Sequence, residues 1–356
     1  MTDALEQAVA SILDDHCTYE VIAKSERGLS IMLWDLLAQA GFTGVGVPED
    51  LGGAGGDLLD AAQVIRVAAR YAAPLPLVET LLQVGGVCEA AGLGFPSGPT
   101  TLVVGPPGVP ISAARTSTGW IFDGLAQRVP WARNVERLVV VAKEAEGHHV
   151  AGVIERTSGV VSPGLNMANE PRDDVTLHQV RLASGAAVAL PEAEVNALRY
   201  RAALGRSLQI AGALEGVLQL TIQYAKERVQ FGRPIGRFQA VQHQVAELAG
   251  ETVAAVAAAD AATRAVLAGG GELAVAAAKI RTGMAAGQGA RLAHQVHGTI
   301  GFTLEHPLGH LTRRLWAWRD EGGSAQGWAV QLGSKIVSND PDGVWDMVTT
   351  MMEGTP

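Results

Sequence analysis

Only two of the 356 residues are cysteine, Cys17 and Cys88, and they form no C-x-x-C pair. That usage argues against a disulfide framework or a cysteine-built zinc site and points to a reduced, cytoplasmic protein. Aromatic residues are also scarce, at 5%, although hydrophobic residues reach 48%, so the apolar mass is mostly Ala, Val and Leu. Side chains this small favour close packing of helix on helix over a thick sheet core. Lysine is rare, 5 residues against 22 arginines, and no Lys/Arg run gathers into a patch in a chain of net charge −9. Nucleic acid is therefore not an expected partner. No charge-free apolar run reaches the roughly 18 residues of a membrane span. The acidic start Met1-Thr-Asp-Ala-Leu-Glu6 is not expected to be a signal peptide. No G-x-S-x-G motif indicates hydrolysis, and no G-x-G-x-x-G or Walker pattern indicates a nucleotide loop.

The chain exceeds a single core, and its pattern changes twice along its length. Residues 1–100 read as helices broken by short loops. Leu33–Ala40 is a short amphipathic helix stopped by Gly41, Gly52-Gly-Ala-Gly-Gly56 is a flexible turn, and Leu58–Ala73 is helical until Pro74 and Pro76. Residues 101–193 carry short β-rich runs, among them Arg137–Ala142 and Val175–Val180, separated by Gly/Pro/Asn/Asp turns. That spacing predicts a small antiparallel barrel or sandwich. From 194 to 356 the chain is helical again. Leu204, Leu208, Ala211, Leu214, Leu218, Ile222 and Ala225 form one stripe of a long helix, and Val241, Val245, Leu248, Thr252 and Val256 continue it on the next. A third helix from about Glu272 to His297 and a fourth after about Gly322 complete an expected up-and-down four-helix bundle. The fold class is α+β: a helical domain, a β domain, then the bundle.

The most informative stretch is Tyr224-Ala-Lys-Glu-Arg-Val-Gln-Phe-Gly-Arg-Pro-Ile235, followed by Gln239 and Gln242. A long helix ends in a basic tight turn, and a second restarts within ten residues. Arg228 brings a fixed charge suited to a phosphate, Phe231 a flat apolar face, and Gly232 and Gly236 a backbone without side-chain bulk. The turn resembles the R-x-x-F-G turn of the acyl-CoA dehydrogenases, flavoenzymes that desaturate the α,β bond of an acyl-CoA thioester. The order L-x-x-L-A-x-x-G-F-x-G-V-G-V-P-E-D-L-G-G-x-G is similar to that family's N-terminal domain. The order of helical, β and bundle domains is also the family's, so the resemblance covers nearly the whole chain.

The resemblance implies FAD held across a subunit interface. Arg228 takes the place of the pyrophosphate arginine, Phe231 of the neighbouring phenylalanine and Gln239 of the glutamine opening the next helix. Gln295-Val-His-Gly298-Thr-Ile-Gly-Phe302 resembles the family's adenosine-side Q-x-x-G-G-x-G-[YF] turn, with Thr299 in place of the second glycine, a poor fit if φ > 0 is needed there. The half-site that a β domain should supply is degraded. Val103-Val-Gly-Pro-Pro-Gly-Val-Pro110 stands where the family has T-E-P-x-x-G-S-D, and Arg128-Val-Pro-Trp131 where it has W-I-T-N, leaving a shifted Trp131 as the one residue that could stack on the flavin ring.

The family's α-proton abstraction needs a carboxylate in reach of the thioester. Aligning Gly301-Phe-Thr-Leu-Glu-His-Pro307 with G-[YF]-x-x-E-x-P puts Arg313 on the family's arginine, the base position on Gly322, and Ser324 and Gln326 on the flavin-touching Thr and Gln. The alternative base site, near the start of the first bundle helix, falls on Ala202, with Ala203 in place of its arginine. Glu321 is one residue early and serves as catalytic base only with a slip in the turn. The resemblance therefore implies a base-lacking partner of a complete subunit in an α2β2 assembly, acting on a bulky, steroid side-chain-like acyl-CoA, with electron-transfer flavoprotein as acceptor. The alternatives are a homotetramer using Glu321 and a flavin-free acyl-CoA-binding scaffold. His294 and His297 lack the acidic partner of a metal site and are read as bundle or ribose contacts. His148-His149 is read as solvated, and Trp316 and Trp318 with Arg313, Arg314 and Arg319 as helix-end packing or subunit contacts.

Overall fold

The computed structural model describes residues 2–303 and 306–338. The chain divides into two compact units, a β-containing one of residues 15–61 and 74–202 and a helical one of residues 1–14, 62–73 and 203–356. After α1 (Thr2–His16) come α2 (Tyr19–Lys24) and α3 (Ile31–Gln39). Ser30 caps α3, its Oγ accepting the Leu33 N–H at 3.4 Å, and the helix turns Leu33, Trp34 and Leu37 inward. The glycine-rich turn that follows is closely packed. A Cβ at Gly53 would sit 2.2 Å from the Val47 carbonyl oxygen, and Val47 and Gly55 form a β-bridge, so the glycines answer a close backbone approach. α4 (Leu58–Arg70), a π-helical stretch (Val78–Val84) and α5 (Gly85–Ala91) lead into the sheet.

The strands are β1 (Thr100–Val104), β2 (Ile111–Thr116), β3 (Gly119–Pro130), β4 (Arg137–Glu144), β5 (His149–Glu155), β6 (Val160–Ser162), β7 (Arg172–Ala183) and β8 (Ala187–Leu190). They form one eight-stranded sheet in the order β6-β7-β3-β2-β4-β5-β8, with β1 also on β4. The expectation of an antiparallel barrel or sandwich is corrected here: the sheet is mixed, because β1 and β2 both run parallel to β4. The two lie end to end along one edge of β4, Thr100 facing Arg137 and Ile111 facing Ala142. The β2–β3 hairpin reverses the chain, and the crossing through 131–136 returns it on the far side of β2, so that β4 enters parallel. Turn residues mark where strands end, not which neighbour each strand joins. β4 reads as a continuous apolar run because both its faces are covered. Leu138, Val140 and Ala142 enter one core with Phe122, Trp131 and Val175, while Val139 and Val141 enter a second with Val84, Val87 and Cys88.

The remaining helices are α6 (Glu192–Glu227), α7 (Gln239–Leu267), α8 (Glu272–His297), α9 (Leu308–Asp320) and α10 (Ala325–Ser338). Paired residues give their directions. Ser207 meets Thr282 and Leu214 lies against Gly289, so α6 and α8 run parallel. Glu251 pairs with Arg281 and Glu247 with Gln288, so α7 is antiparallel to α8. His294 bonds Thr312, Gly283 faces Ala325, and Glu272 pairs with Lys335. α9 and α10 are therefore laid end to end along α8 as a single fourth member, interrupted at Glu321–Ser324. The small side chains do what composition suggests: Ala255, Ala259, Ala278, Ala285, Ala286 and Ala290 are buried between close helices. Among the described residues no helix is long and apolar enough to cross a membrane, and no cluster of three or more metal-ligating side chains occurs.

Candidate functional site

At the end of α6 the Arg228 N–H bonds the Tyr224 carbonyl at 2.9 Å, and the Ile235 N–H closes on the Arg228 carbonyl at 2.8 Å. Between them a ribbon of β9 (Val229–Gln230) and β10 (Arg233–Pro234) turns through Phe231 and Gly232, both at positive φ, 52° and 76°. Two such residues make the hairpin turn that matches strand twist. The turn throws Phe231 outward, 92% exposed, with Phe238 edge-on at 6.1 Å and the Arg233 guanidinium 4.3 Å from the Phe238 ring. Arg228 and Gln239 are exposed beside it. This aromatic-and-cation surface is held by backbone bonds.

The second element lies at the end of α8, where Gln295, Gly298 and Thr299 are exposed. Gly298 takes φ 62°, ψ −144°, whereas Thr299 is absent from the residues at positive φ. The left-handed position is thus the retained glycine, and the β-branched residue after it is unstrained. The two turns are brought together by Tyr224, which stacks on His297 at 4.6 Å, with His306 edge-on to His297 at 4.9 Å. Leu304 and Glu305, part of the aligned G-[YF]-x-x-E-x-P segment, lie outside the described residues.

The histidines are built into this junction. His297 Nδ1 lies 2.8 Å from the Ala293 carbonyl and must donate to it; His294 Nε2 lies 3.0 Å from Thr312 Oγ1, with its ring stacked on Phe302 at 4.2 Å. Burial pushes the His297 imidazole down to about 4, against the bond to Ala293. The unfolded chain therefore takes up a proton near pH 6.5, before the folded one does, and stability falls as pH drops through that window toward 4. Wild type is expected to lose about 2 kcal/mol more than His297→Phe between pH 7 and pH 5. Urea titrations at the two pH values check this; parallel losses would remove His297 as the cause.

Glu321 follows α9 in extended conformation, and its carboxylate is 3.0 Å from Arg206 Nε, with side chains 14% and 5% exposed. Ser324 and Gln326 are exposed just beyond, Ser324 Oγ accepting the Gly327 N–H at 3.1 Å. Arg206 and the fully buried Lys279 escaped the sequence reading. Arg206 lies one turn beyond Ala203 on α6, and Lys279 is spaced four, three and seven from Val275, Thr282 and Ala286 on the core stripe of α8. A lone cation at core spacing was the available signal.

In the β-containing unit, Gly105–Pro110 links β1 to β2 without a hydroxyl, and Arg128, at φ 55°, donates its N–H to Asp174 Oδ1 at 2.9 Å. Trp131 is 3% exposed within the sheet core, so its ring is not offered to a ligand. His149 is not free in solvent, since its Nδ1 lies 2.8 Å from Glu192. Trp318 and Arg314 are buried, the latter bonding the His310 carbonyl at 3.1 Å, so these two residues are packed within the helical unit.

Two family models match the chain: "Acyl-CoA dehydrogenase, N-terminal domain" over residues 2–91 and "Acyl-CoA dehydrogenase, C-terminal domain" over residues 196–327. Acyl-CoA dehydrogenase IpdE2 of Mycobacterium tuberculosis is 32% identical over 310 residues, covering 85% of this chain and 87% of its own. The chain belongs to the acyl-CoA dehydrogenase family. Among solved structures, the ChsE4-ChsE5 complex from Mycobacterium tuberculosis matches with TM-score 0.86 at 24% identity, over 95% of this chain and 98% of the other, and confirms the acyl-CoA dehydrogenase fold. A variant of the Tcur3481-Tcur3483 steroid ACAD matches with TM-score 0.83 at 26% identity, over the same shares.

Proposed function

We propose that this acyl-CoA dehydrogenase-family chain is the non-catalytic partner in a heteromeric FAD-dependent enzyme that desaturates a bulky, steroid-like acyl-CoA. In this reading segments 1–100, 101–193 and 194–356 act as three domains, and the assembly is α2β2. The observation that carries it is the inequality of the two half-sites. Arg228, Phe231, Gln239, Gln295 and Gly298 stand exposed on two turns joined by the Tyr224–His297 stack. On the receiving side, the β1–β2 link has no hydroxyl and Trp131 is in the core. The names of the steroid ACAD and of IpdE2 favour the same substrate class and chemistry.

In this reading FAD, when bound, supplies the hydride acceptor, and the partner subunit supplies the base and the ring-binding residues. Arg228 neutralises pyrophosphate charge, Phe231 shields it, Gln239 and Gln295 hydrogen-bond the adenosine side, and Ser324 and Gln326 face the flavin. Electrons leave to electron-transfer flavoprotein, as the family relation suggests. Exposed apolar side chains on the helical unit, among them Val253, Met284 and Val330 at 60–67%, favour an assembly over a monomer.

The test is co-expression with a complete family subunit and measurement of flavin per complex. Arg228→Ala removes a charge-assisted contact of roughly 1.5–3 kcal/mol, so FAD affinity should fall about tenfold or more. Unchanged affinity would remove Arg228 from the site, and a complex without flavin would favour the flavin-free scaffold instead.

A further inference from the structure

The turn Glu321-Gly-Gly-Ser324 interrupts the fourth member of the bundle, and three helices hold it. From α8, Lys279 Nζ donates to the carbonyls of Trp318 at 3.1 Å and Arg319 at 2.7 Å, closing the end of α9. From α6, Arg206 reaches Glu321 Oε2 with its Nε at 3.0 Å, while its Nη1 donates to Gln209 Oε1 at 2.5 Å. From α10, Trp328 Nε1 donates to the Gly322 carbonyl at 2.8 Å, and its ring leaves no room for a side chain on Gly323, where a Cβ would sit 2.5 Å from Nε1. Lys279 is wholly buried and Arg206 is 4% exposed. Two desolvated cations are a costly way to stabilise a bundle, and groups of this kind are best understood where they select one conformation.

We propose that Arg206 and Lys279 are positioning residues for this turn. Arg206 holds the Glu321 carboxylate in the bundle as its counter-ion, withdrawn from service as a proton acceptor. Lys279 fixes the end of α9, so that the chain leaves the turn with Ser324 and Gln326 on the outside. The consequence for Ser324 and Gln326 rests on the functional reading above; the pairing itself does not. An anionic carboxylate bonded to a guanidinium is a weaker base than a desolvated one, because the charge that protonation would remove is already stabilised. Among the described residues the charged groups facing Lys279 are Arg206, Arg319, Asp320 and Glu321, and burial pushes its ammonium down to about 8.

The test is a double-substitution cycle in the complex with the complete subunit, using Arg206→Met, Glu321→Gln and both together. Arg206→Met removes the bonded cation from the Glu321 carboxylate and should lower the thermal midpoint by roughly 6–20 °C, while the double variant should regain at least half of that loss. Arg206→Lys should fall between wild type and Arg206→Met. Lys279→Met should reduce flavin retention and alter the visible flavin spectrum more than it lowers the midpoint. With flavin loading equal, Glu321→Gln should change turnover by less than tenfold and leave the acid limb of the pH–rate profile in place. Additive midpoints would overturn the pairing. A loss of about 100- to 10,000-fold in turnover would make Glu321 the base. The midpoint cycle needs no flavin, so a flavin-free complex with intact coupling would overturn the functional reading alone.

Discussion

Arg172→Met is expected to lower the stability of the β-containing unit by about 3–5 kcal/mol. Arg172 and Glu170 are paired at 3.0 Å with side chains only 1% and 3% exposed. Arg172 Nη1 also donates to the Pro171 carbonyl at 2.7 Å, and Glu170 accepts from Asn166 Nδ2 at 3.0 Å. Removing the guanidinium takes the bonded cation from a carboxylate that is 3% exposed, so the cost includes that of a desolvated charge as well as of a lost bond. Arg172→Met combined with Glu170→Leu should therefore recover most of the loss, since two apolar groups need no partners. Urea unfolding followed by tryptophan fluorescence reads both variants. A loss below about 1 kcal/mol for the single change would show that the pair is solvated in the folded chain.

Gly212→Ala should cost about 3 kcal/mol, although alanine is the better helix former. A Cβ at Gly212 would lie 2.0 Å from the Arg66 carbonyl oxygen, and one at Gly216 would lie 2.3 Å from that of Arg70. Both spacings are one helical turn, so α4 and α6 cross backbone to backbone with glycine on one side only. Neither contact can be relieved by rotating a side chain; the helices must separate. Separation would also strain the ion pairs on the same turns, Arg66 with Asp260 at 3.1 Å and Arg70 with Glu215 at 3.0 Å. Gly250 supplies the control. It is exposed in α7 with nothing within 4 Å of a built Cβ, so Gly250→Ala should stabilise by up to about 1 kcal/mol. Two alanine substitutions in helices should thus move the midpoint in opposite directions. If both raise it, the close crossing is not what limits that face.

Much of the bundle was legible because a helical stripe is a local pattern. Leu204, Leu208, Ala211 and Leu214 recur at helical spacing and are all buried. Gly212 and Gly216 belong to the same helix, yet nothing local distinguishes them from Gly250; their role exists only because the Arg66 and Arg70 carbonyls arrive there. The strands were legible as runs and not as a topology. Val139 and Val140 enter different cores because β4 is covered on both faces, which a run of valines is compatible with but does not specify. The candidate site divides in the same way. Arg228, Phe231 and Gly298 sit in turns made of residues adjacent in the chain, and they could be found by motif. Arg206 and Lys279 act on a turn more than 30 residues away in sequence, so no motif contains them together with Glu321.

Sequence alone therefore determined the order of helical, β and bundle segments, the family resemblance and the two turns that face outward, because each depends on periodicity or on residues adjacent in the chain. Tertiary structure decided the mixed direction of the sheet, the burial of Trp131, the backbone crossing at Gly212 and the pairing of Glu321 with Arg206. Those depend on which distant groups share a low-dielectric interior, where distance and desolvation rather than residue type decide whether a tryptophan faces a ligand or a carboxylate is held as a counter-ion.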